Sequence, residues 1–325
     1  MHDFTLLVLP GAFATSVSAT LDILGAAAAV APRLKVSPPT WRVVSAHAGP
    51  ARLTAGLTVQ AQGLPRSTRE DKSTWVVPGL ATETLEAIAA RLAQPDSIRI
   101  ARALKAHLDA GGAVAASCSA VFLLQACGAL AGRRVTTSWW LAPALQQMEP
   151  DCTVAADRMV CADGPIVTAG AAFAQVDLML HLLQSRFGAP LAQLVQCILL
   201  LDARAAQAPY TVPALVTNGS ALVAQLTAHI ESALPDPPGV AELARRFAMS
   251  PRTLARRVRA ATGMTPLDLL QGVRLNRARR LIESSRMNID QVAAAVGYAD
   301  ATALRRLMRK LAGANPSRFR AQVAN

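Results

Sequence analysis

Several features that would assign a chain of 325 residues to a class are scarce here. Five cysteines occur, at 118, 127, 152, 161 and 197, and no two make a CxxC pair. Neither a zinc site nor a disulfide framework is indicated, and small buried thiols are the expected state. No uninterrupted apolar run approaches the ~18 residues that a membrane span requires. The opening MHDFTLLVLPGAF lacks a basic lead and meets Pro10 too early for a secretory leader, so it reads as a first strand. A cytoplasmic chain with no membrane partner is expected. Charge is sparse at 17% against 52% hydrophobic residues, which fits a compact globular chain of about two domains.

Acidic residues are scarcest at one end. Residues 226–325 hold 17 Lys/Arg against 7 Asp/Glu, whereas residues 1–225 hold 16 against 14. The net charge of +12 is thus concentrated in the last hundred residues, almost entirely as arginine. A merely solvated surface would mix both signs; this segregation points to a polyanion bound by one domain.

The first two hundred residues alternate short apolar runs with Ala/Leu-rich helical stretches. Strands are expected at Phe4–Leu9, Trp41–Ala46, Thr74–Val77 and Ala113–Ser117, with helices such as Val17–Val30 and Ile98–Ala110 between them. This alternation predicts a three-layer α/β domain with a mostly parallel sheet covered on both faces. A hairpin beside that sheet is expected from Thr153–Cys161 and Ile166–Thr168, and a helix over Phe173–Arg186 is expected to end at Gly188 and Pro190. Pro209 and Pro213 mark a linker, and a helix near Ser220–Ala233 leads to the breaker Pro235-Asp236-Pro237-Pro238. The divisions are residues 1–205 for the α/β domain, 206–238 for a linker and leading helix, and 239–325 for an all-α basic domain.

The basic domain contains a duplication. Leu254, Arg256, Val258, Gly263 and Pro266 recur fifty positions on as Leu304, Arg306, Met308, Gly313 and Pro316. Val240, Leu243, Ala244 and Phe247 recur at forty-nine as Ile289, Val292, Ala293 and Val296, so one extra residue is expected in the turn of the second copy. Each copy reads as a short apolar-spined helix, a tight turn, and a second helix capped by Ser250 or Asp300. The second helix keeps a spine of Leu254, Val258 and Ala261, or of Leu304, Leu307 and Leu311. Its other face carries arginine and threonine. That is a tandem helix-turn-helix, with a helix of about 27 Å between the copies, near the ~34 Å of one DNA turn.

The segments SPRTLARRVRAATGMTP, RLNRARRLI and IDQVAAAVGYADATALRRL resemble the AraC/XylS regulators over about 239–320. The family pattern has aromatics where Val258, Leu304 and Met308 stand, which implies a repacked core. By position, the resemblance implies that Arg252, Thr253 and Arg256 read bases in the first unit, and Thr302, Arg305 and Arg306 in the second. Arginine suits guanine O6/N7 and threonine the thymine methyl, with phosphate contact the alternative role for any one of them.

In the α/β domain, Gly112-Ala-Val-Ala-Ala-Ser-Cys118-Ser reads as a buried strand stopping at a small-residue turn into a helix. Cys118 would then stand at the carboxyl edge of the sheet, where the helix start would lower its thiol pKa. LLVLPG at 6–11, TLDIL at 20–24, WVVPG at 75–79, LAGRRVTTSW at 130–139 and VDLMLHLL at 176–183 resemble the PfpI-like, class I glutamine amidotransferase-like fold. They resemble in particular the GlxA-type regulators, which join that fold to an AraC-type tail. Where the hydrolytic relatives carry a histidine after the cysteine, Ser119 stands; where they carry an acid in the first strand-to-helix loop, Ser16 stands. Where the regulators carry a histidine in their T-T-x-W segment, Ser138 stands. His47, His107 and His181 are expected in packing or surface roles. The resemblance therefore implies a degenerate, non-catalytic pocket for a small-molecule effector, lined by Ser16, Gly79, Cys118, Ser119, Ser138 and Trp139, with no cofactor or metal. A DNA-associated thiol enzyme or redox sensor using Cys118 is the competing reading. The implied partners are double-stranded DNA, a second copy bound through the first domain, and RNA polymerase as a further candidate.

Overall fold

The computed structural model describes residues 2–65, 71–202, 204, 206, 207, 221–262 and 264–312. Pro209, Pro213, Ser220, Gly263, Gly313 and Pro316, and the side chain of Leu311, lie outside that description. The chain divides into two compact units, Met1–Arg204 and Ala205–Asn325.

The first unit is built on strands β1 (Phe4–Leu7), β2 (Trp41–Ser45), β3 (Gly49–Arg52), β4 (Thr58–Gly63), β5 (Thr74–Val77), β6 (Ala113–Ser117), β9 (Val160–Asp163) and β10 (Ile166–Ala169), with β7 (Arg134–Val135) and β8 (Thr153–Val154) as a separate parallel pair. The large sheet has the order β3-β4-β2-β1-β5-β6-β10-β9. Its interior pairings are all parallel, and an antiparallel hairpin closes each edge.

Alternation along the central strands sends Leu6, Val8, Val76 and Ala115 to one face and Leu7, Leu9, Trp75, Val77, Val114 and Ala116 to the other. The first set packs under α1 (Ala14–Val30), α6 (Ala174–Phe187) and α7 (Ala189–Ile198). The second packs under α2 (Leu85–Leu92), α3 (Pro95–Asp109), α4 (Val121–Ala126) and α5 (Ala142–Met148). Helix α1 with the turn after it, Ala14–Leu34, is long and apolar enough to cross a membrane. Yet Val17, Ile23, Leu24 and Ala27 are buried against the sheet and α6, which accounts for that apolarity as core packing.

Two expectations are corrected, and two strands were not expected. The hairpin is β9–β10, inside the main sheet, because β10 pairs in parallel with β6, while Thr153–Val154 joins β7 instead. Pro190 starts a helix rather than ending one: Gly188, at φ 92°, closes α6 and opens α7, where proline suits the first turn. Strands β3 and β4 carry too few apolar side chains to announce themselves.

Beneath the amino ends of β1 and β5 lies a polar cluster. Asp71 accepts from Arg42 at 2.5 Å, from Trp75 Nε1 at 2.8 Å and from Ser73 Oγ at 2.7 Å, and His107 stacks on Trp75 at 4.5 Å. Burial pushes the Asp71 carboxyl up, but the bonds from Ser73 and Trp75 and the charge of Arg42 outweigh it and hold the group below its usual 3.8.

The second unit comprises α8 (Ala221–Ser232), α9 (Val240–Arg246), α10 (Pro251–Thr262), α11 (Pro266–Ser284), α12 (Ile289–Ala295) and α13 (Ala301–Ala312). Among the described residues it has two small cores. Val223, Leu226 and Ile230 of α8 join Leu243, Leu254, Val258, Leu269, Leu270 and Val273 in the first. Leu275, Ala278, Ile282, Val292, Val296, Leu304, Leu307 and Met308 form the second. Helix α8, expected as a leading helix, is thus part of the first core. Leu304 and Met308 are fully enclosed, so side chains unlike the family's aromatics still fill the space.

Two outcomes follow. Gly297 sits at φ 81°, and a Cβ there would fall inside van der Waals distance of the Pro235 carbonyl oxygen. Gly297→Ala is therefore expected to destabilise the second unit by about 1–3 kcal/mol, read from its denaturant midpoint. Asp71 is held below its ordinary pKa, so its stabilising contribution is complete above the unfolded value and is lost as pH falls through the folded one. Asp71→Asn is expected to flatten the acid limb of the first unit's stability as pH falls below the usual carboxylate range, measured as midpoint against pH.

Candidate functional site

Two sites emerge, one in each unit. In the second, α9 and α10 are separated by residues 247–250 and α12 and α13 by residues 296–300, so the extra residue of the second copy does fall in its turn. The left-handed position is Ala248 in the first turn, at φ 51°, and Gly297 in the second, at φ 81°; these are forty-nine residues apart, in register with the repeat. Ser250 Oγ accepts from the Thr253 amide at 3.1 Å, and Asp300 Oδ1 accepts from the Ala303 amide at 2.8 Å, so each second helix is capped as expected. Arg252, Arg256, Thr302, Arg305 and Arg306 are exposed on faces opposite the buried spines. Thr253 is half-buried, and its hydroxyl lies 2.9 Å from Ser250 Oγ, engaging the polar end of the side chain in the cap. Arg257, Arg259 and Arg309 are exposed on the same helices and extend the basic surface.

Helix α11 carries both cores and spans about 28 Å at 1.5 Å per residue. Its start is fixed by a reciprocal cap between Thr265 and Asp268, and α12 opens on a similar one between Asn288 and Gln291.

In the first unit, β6 ends at Ser117 and the chain turns through Cys118 at φ 54°, a left-handed value unusual for a side chain of this kind. A 3-10 turn over Cys118–Ala120 precedes α4. The Cys118 amide donates to the Gly170 carbonyl at 2.7 Å, and its own carbonyl accepts from Thr137 Oγ1 at 2.7 Å. Ser138 Oγ donates to Cys118 Sγ at 3.0 Å. Ser119 Oγ accepts from the Leu80 amide at 3.2 Å. Gly79 leaves the room this needs, since a Cβ there would stand 3.0 Å from the Cys118 Cβ.

Gly79, Cys118, Ser119 and Ser138 are therefore brought together. Ser16 reaches the same region from α1 by donating to the Ala172 carbonyl at 3.1 Å. Trp139 turns to Trp140, edge to face at 5.1 Å. Thr137, Gly170 and Leu80 hold the turn but were not anticipated, because two of them act through backbone groups that any residue carries.

The chemistry of the thiol departs from expectation. Cys118 is 2% exposed, and burial pushes its pKa up; hydrogen bonds from Ser138 and Ser119 pull the other way without prevailing, and the charge of Glu83 adds to the rise. The expected lowering by a helix start is outweighed by desolvation. His107 is bonded to the Ser73 carbonyl, and His47 is exposed. Cys152 and Cys161 are buried, Cys127 is half-buried with its thiol pushed up to about 11, and Cys197 is exposed.

Residues 243–322 match the family described as a helix-turn-helix domain, and residues 86–185 match the DJ-1/PfpI family. The HTH-type transcriptional regulator CdhR of Pseudomonas aeruginosa is 28% identical over 328 residues, covering 98% of this chain and 92% of its own length. The HTH-type transcriptional regulator GlxA of Rhizobium meliloti is 32% identical over 206 residues, covering 62% of this chain and 63% of its own. Among solved structures, DJ-1beta of Drosophila melanogaster is similar in fold, with a TM-score of 0.50 at 20% identity over 62% of this chain and all of that one.

Thiol chemistry offers a direct check. A disulfide reagent at pH 8 is expected to modify Cys197 first and to reach Cys118 only on unfolding, read by peptide mass. Rapid labelling of Cys118 in the native chain would show that the turn opens and that its thiolate is accessible.

Proposed function

We infer that this chain, a DJ-1/PfpI domain joined to an AraC-type helix-turn-helix domain in the manner of the GlxA-type regulators, is a sequence-specific DNA-binding transcription regulator. The observation that carries this reading is the duplicated helix-turn-helix. Two capped helices each set an arginine- and threonine-bearing face over a sealed apolar core, in the one unit that holds nearly all the net positive charge. The regulators that resemble the chain add support, one of them along nearly its whole length.

Arg252, Arg256, Arg305 and Arg306 are assigned to base edges or flanking phosphates, Thr302 to a base edge, and Thr253 to a methyl contact, since its hydroxyl is occupied by the cap. Two non-identical faces imply an asymmetric site for each chain. A homodimer formed through the first unit would span repeated sites, in the cytoplasm and within reach of RNA polymerase.

The DJ-1/PfpI domain is read as a sensor and not an enzyme. Ser16, Ser119 and Ser138 supply no strong base or acid at Cys118, the Glu83 charge disfavours the thiolate, and a thiol pushed up by burial is a poor nucleophile near neutral pH. Ser119 and Ser138 are fully buried, with their hydroxyls engaged by the Leu80 amide and Cys118 Sγ, so a small molecule would reach them only by opening the turn, and would act by favouring one presentation of the second unit. It must bind two arrangements with unequal affinity to do so.

The test is selection of genomic DNA fragments by the purified chain at near-physiological salt. A few loci sharing one motif are expected. Arg306→Ala should then cost about 1–3 kcal/mol at a single base position and relax preference there. Uniform recovery, with affinity collapsing as salt rises, would reduce the basic unit to phosphate binding and overturn the reading.

A further inference from the structure

We propose that the ion pair between Arg204 and Asp177 transmits the state of the Cys118 turn to the point where the chain leaves the first unit, with Arg204 as a positioning residue for effector control. This rests on the reading of the second unit as an operator-binding domain.

The link is a four-residue segment, Gly170 to Phe173, between β10 and α6. Its carbonyl groups face three separate parts of the unit. Gly170 accepts from the Cys118 amide at 2.7 Å, and Ala172 accepts from Ser16 Oγ at 3.1 Å. Phe173 accepts from Arg204 at 2.6 Å. The segment thus joins the thiol turn, the first turn of α1 and the last residue of the unit. A shift at one end of so short a segment disturbs bonds at the other, because the Gly170, Ala172 and Phe173 carbonyls are held by three different elements, while Ala171, Ala172 and Phe173 also accept from the opening amides of α6.

Arg204 is tied to it redundantly. Its amide donates to Asp177 Oδ1 at 2.8 Å, and its guanidinium donates to Asp177 Oδ2 at 2.6 Å and to the Phe173 carbonyl. Asp177 lies in the first turn of α6, with its side chain 5% exposed. Burial pushes its carboxyl up even with Arg204 bonded, so without Arg204 the carboxylate would be left in a poor environment. The closed clasp is the state described, and population control requires a second, released one of different operator affinity.

A double-mutant cycle on the full chain tests the proposal, with a fluorescent duplex of the selected operator as the probe. Ser138→Val removes the hydroxyl that touches Cys118 Sγ and perturbs the turn without any effector. It is expected to change operator Kd by at least about fivefold in the otherwise native chain, and by less than about twofold in the Arg204→Gln background. Arg204→Lys, which keeps the charge, should restore part of the response and guards against a folding defect. Equal shifts in both backgrounds, or no shift in either, overturn the proposal. If no operator is recovered, the functional reading fails separately, and hydrogen exchange decides the clasp. Faster exchange of the Arg204 amide in Ser138→Val supports the mechanical link, and unchanged exchange overturns it.

Discussion

Helices cover both faces of β1, β5 and β6, so apart from Thr74 and Ala113, which open β5 and β6, no side chain on these strands has a solvent face. Phe4, Leu6 and Leu7 are at most 1% exposed, and so are Trp75, Val76 and Val77. Fully burying such side chains contributes about 1.5–3 kcal/mol each, and the gain depends on both faces remaining dry. Polar chemistry is therefore driven to the strand ends. At the amino end it becomes the cluster around Asp71, whose carboxylate is taken up by Arg42, Ser73 and Trp75. At the carboxyl end it becomes the turn at Cys118, where Ser119, Ser138 and Thr137 converge. The same constraint that makes the unit stable fixes where polar groups can gather.

This constraint is also why much of the first unit was legible. Strands buried on both faces read as short continuous apolar runs, and Thr74–Val77 and Ala113–Ser117 fall where those runs predict. Strands at and beside one edge obey no such rule: Gly49–Arg52, the edge strand, has only Ala51 buried, and Thr58–Gly63 next to it only Ala61, so nothing in GPAR or TVQAQG distinguishes a strand from a loop. The chemistry of the turn was only half legible. The residues at the thiol could be named from motifs, but the sign of the pKa shift depends on how completely the turn is sealed, a property of packing that no local spacing encodes.

In the basic unit the hydrophobic period and the repeat were legible together, since each position had a partner about fifty residues away to confirm it. The exception is instructive. A left-handed residue is needed in both turns; Gly297 advertises it, while Ala248 conceals the same conformation behind an ordinary helix former. Likewise, Thr253 has the right place and type for a base contact, but its hydroxyl is bound to Ser250, and only the side chain's geometry reveals that.

The distribution of α11 between the two cores constrains how control can operate. Leu269, Leu270 and Val273 belong to the first core, and Leu275, Ala278 and Ile282 to the second, on one uninterrupted helix of 19 residues. Moving one recognition helix relative to the other would require breaking α11 or unpacking a core. A change in spacing between the readers is thus a costly way to regulate binding. Presenting or withholding the whole unit costs neither, and it needs only that the connection to the first unit have two states. The segment from Gly170 to Phe173 is placed for such a connection, because it is bonded both to the Cys118 turn and to Arg204, the residue from which the connection departs.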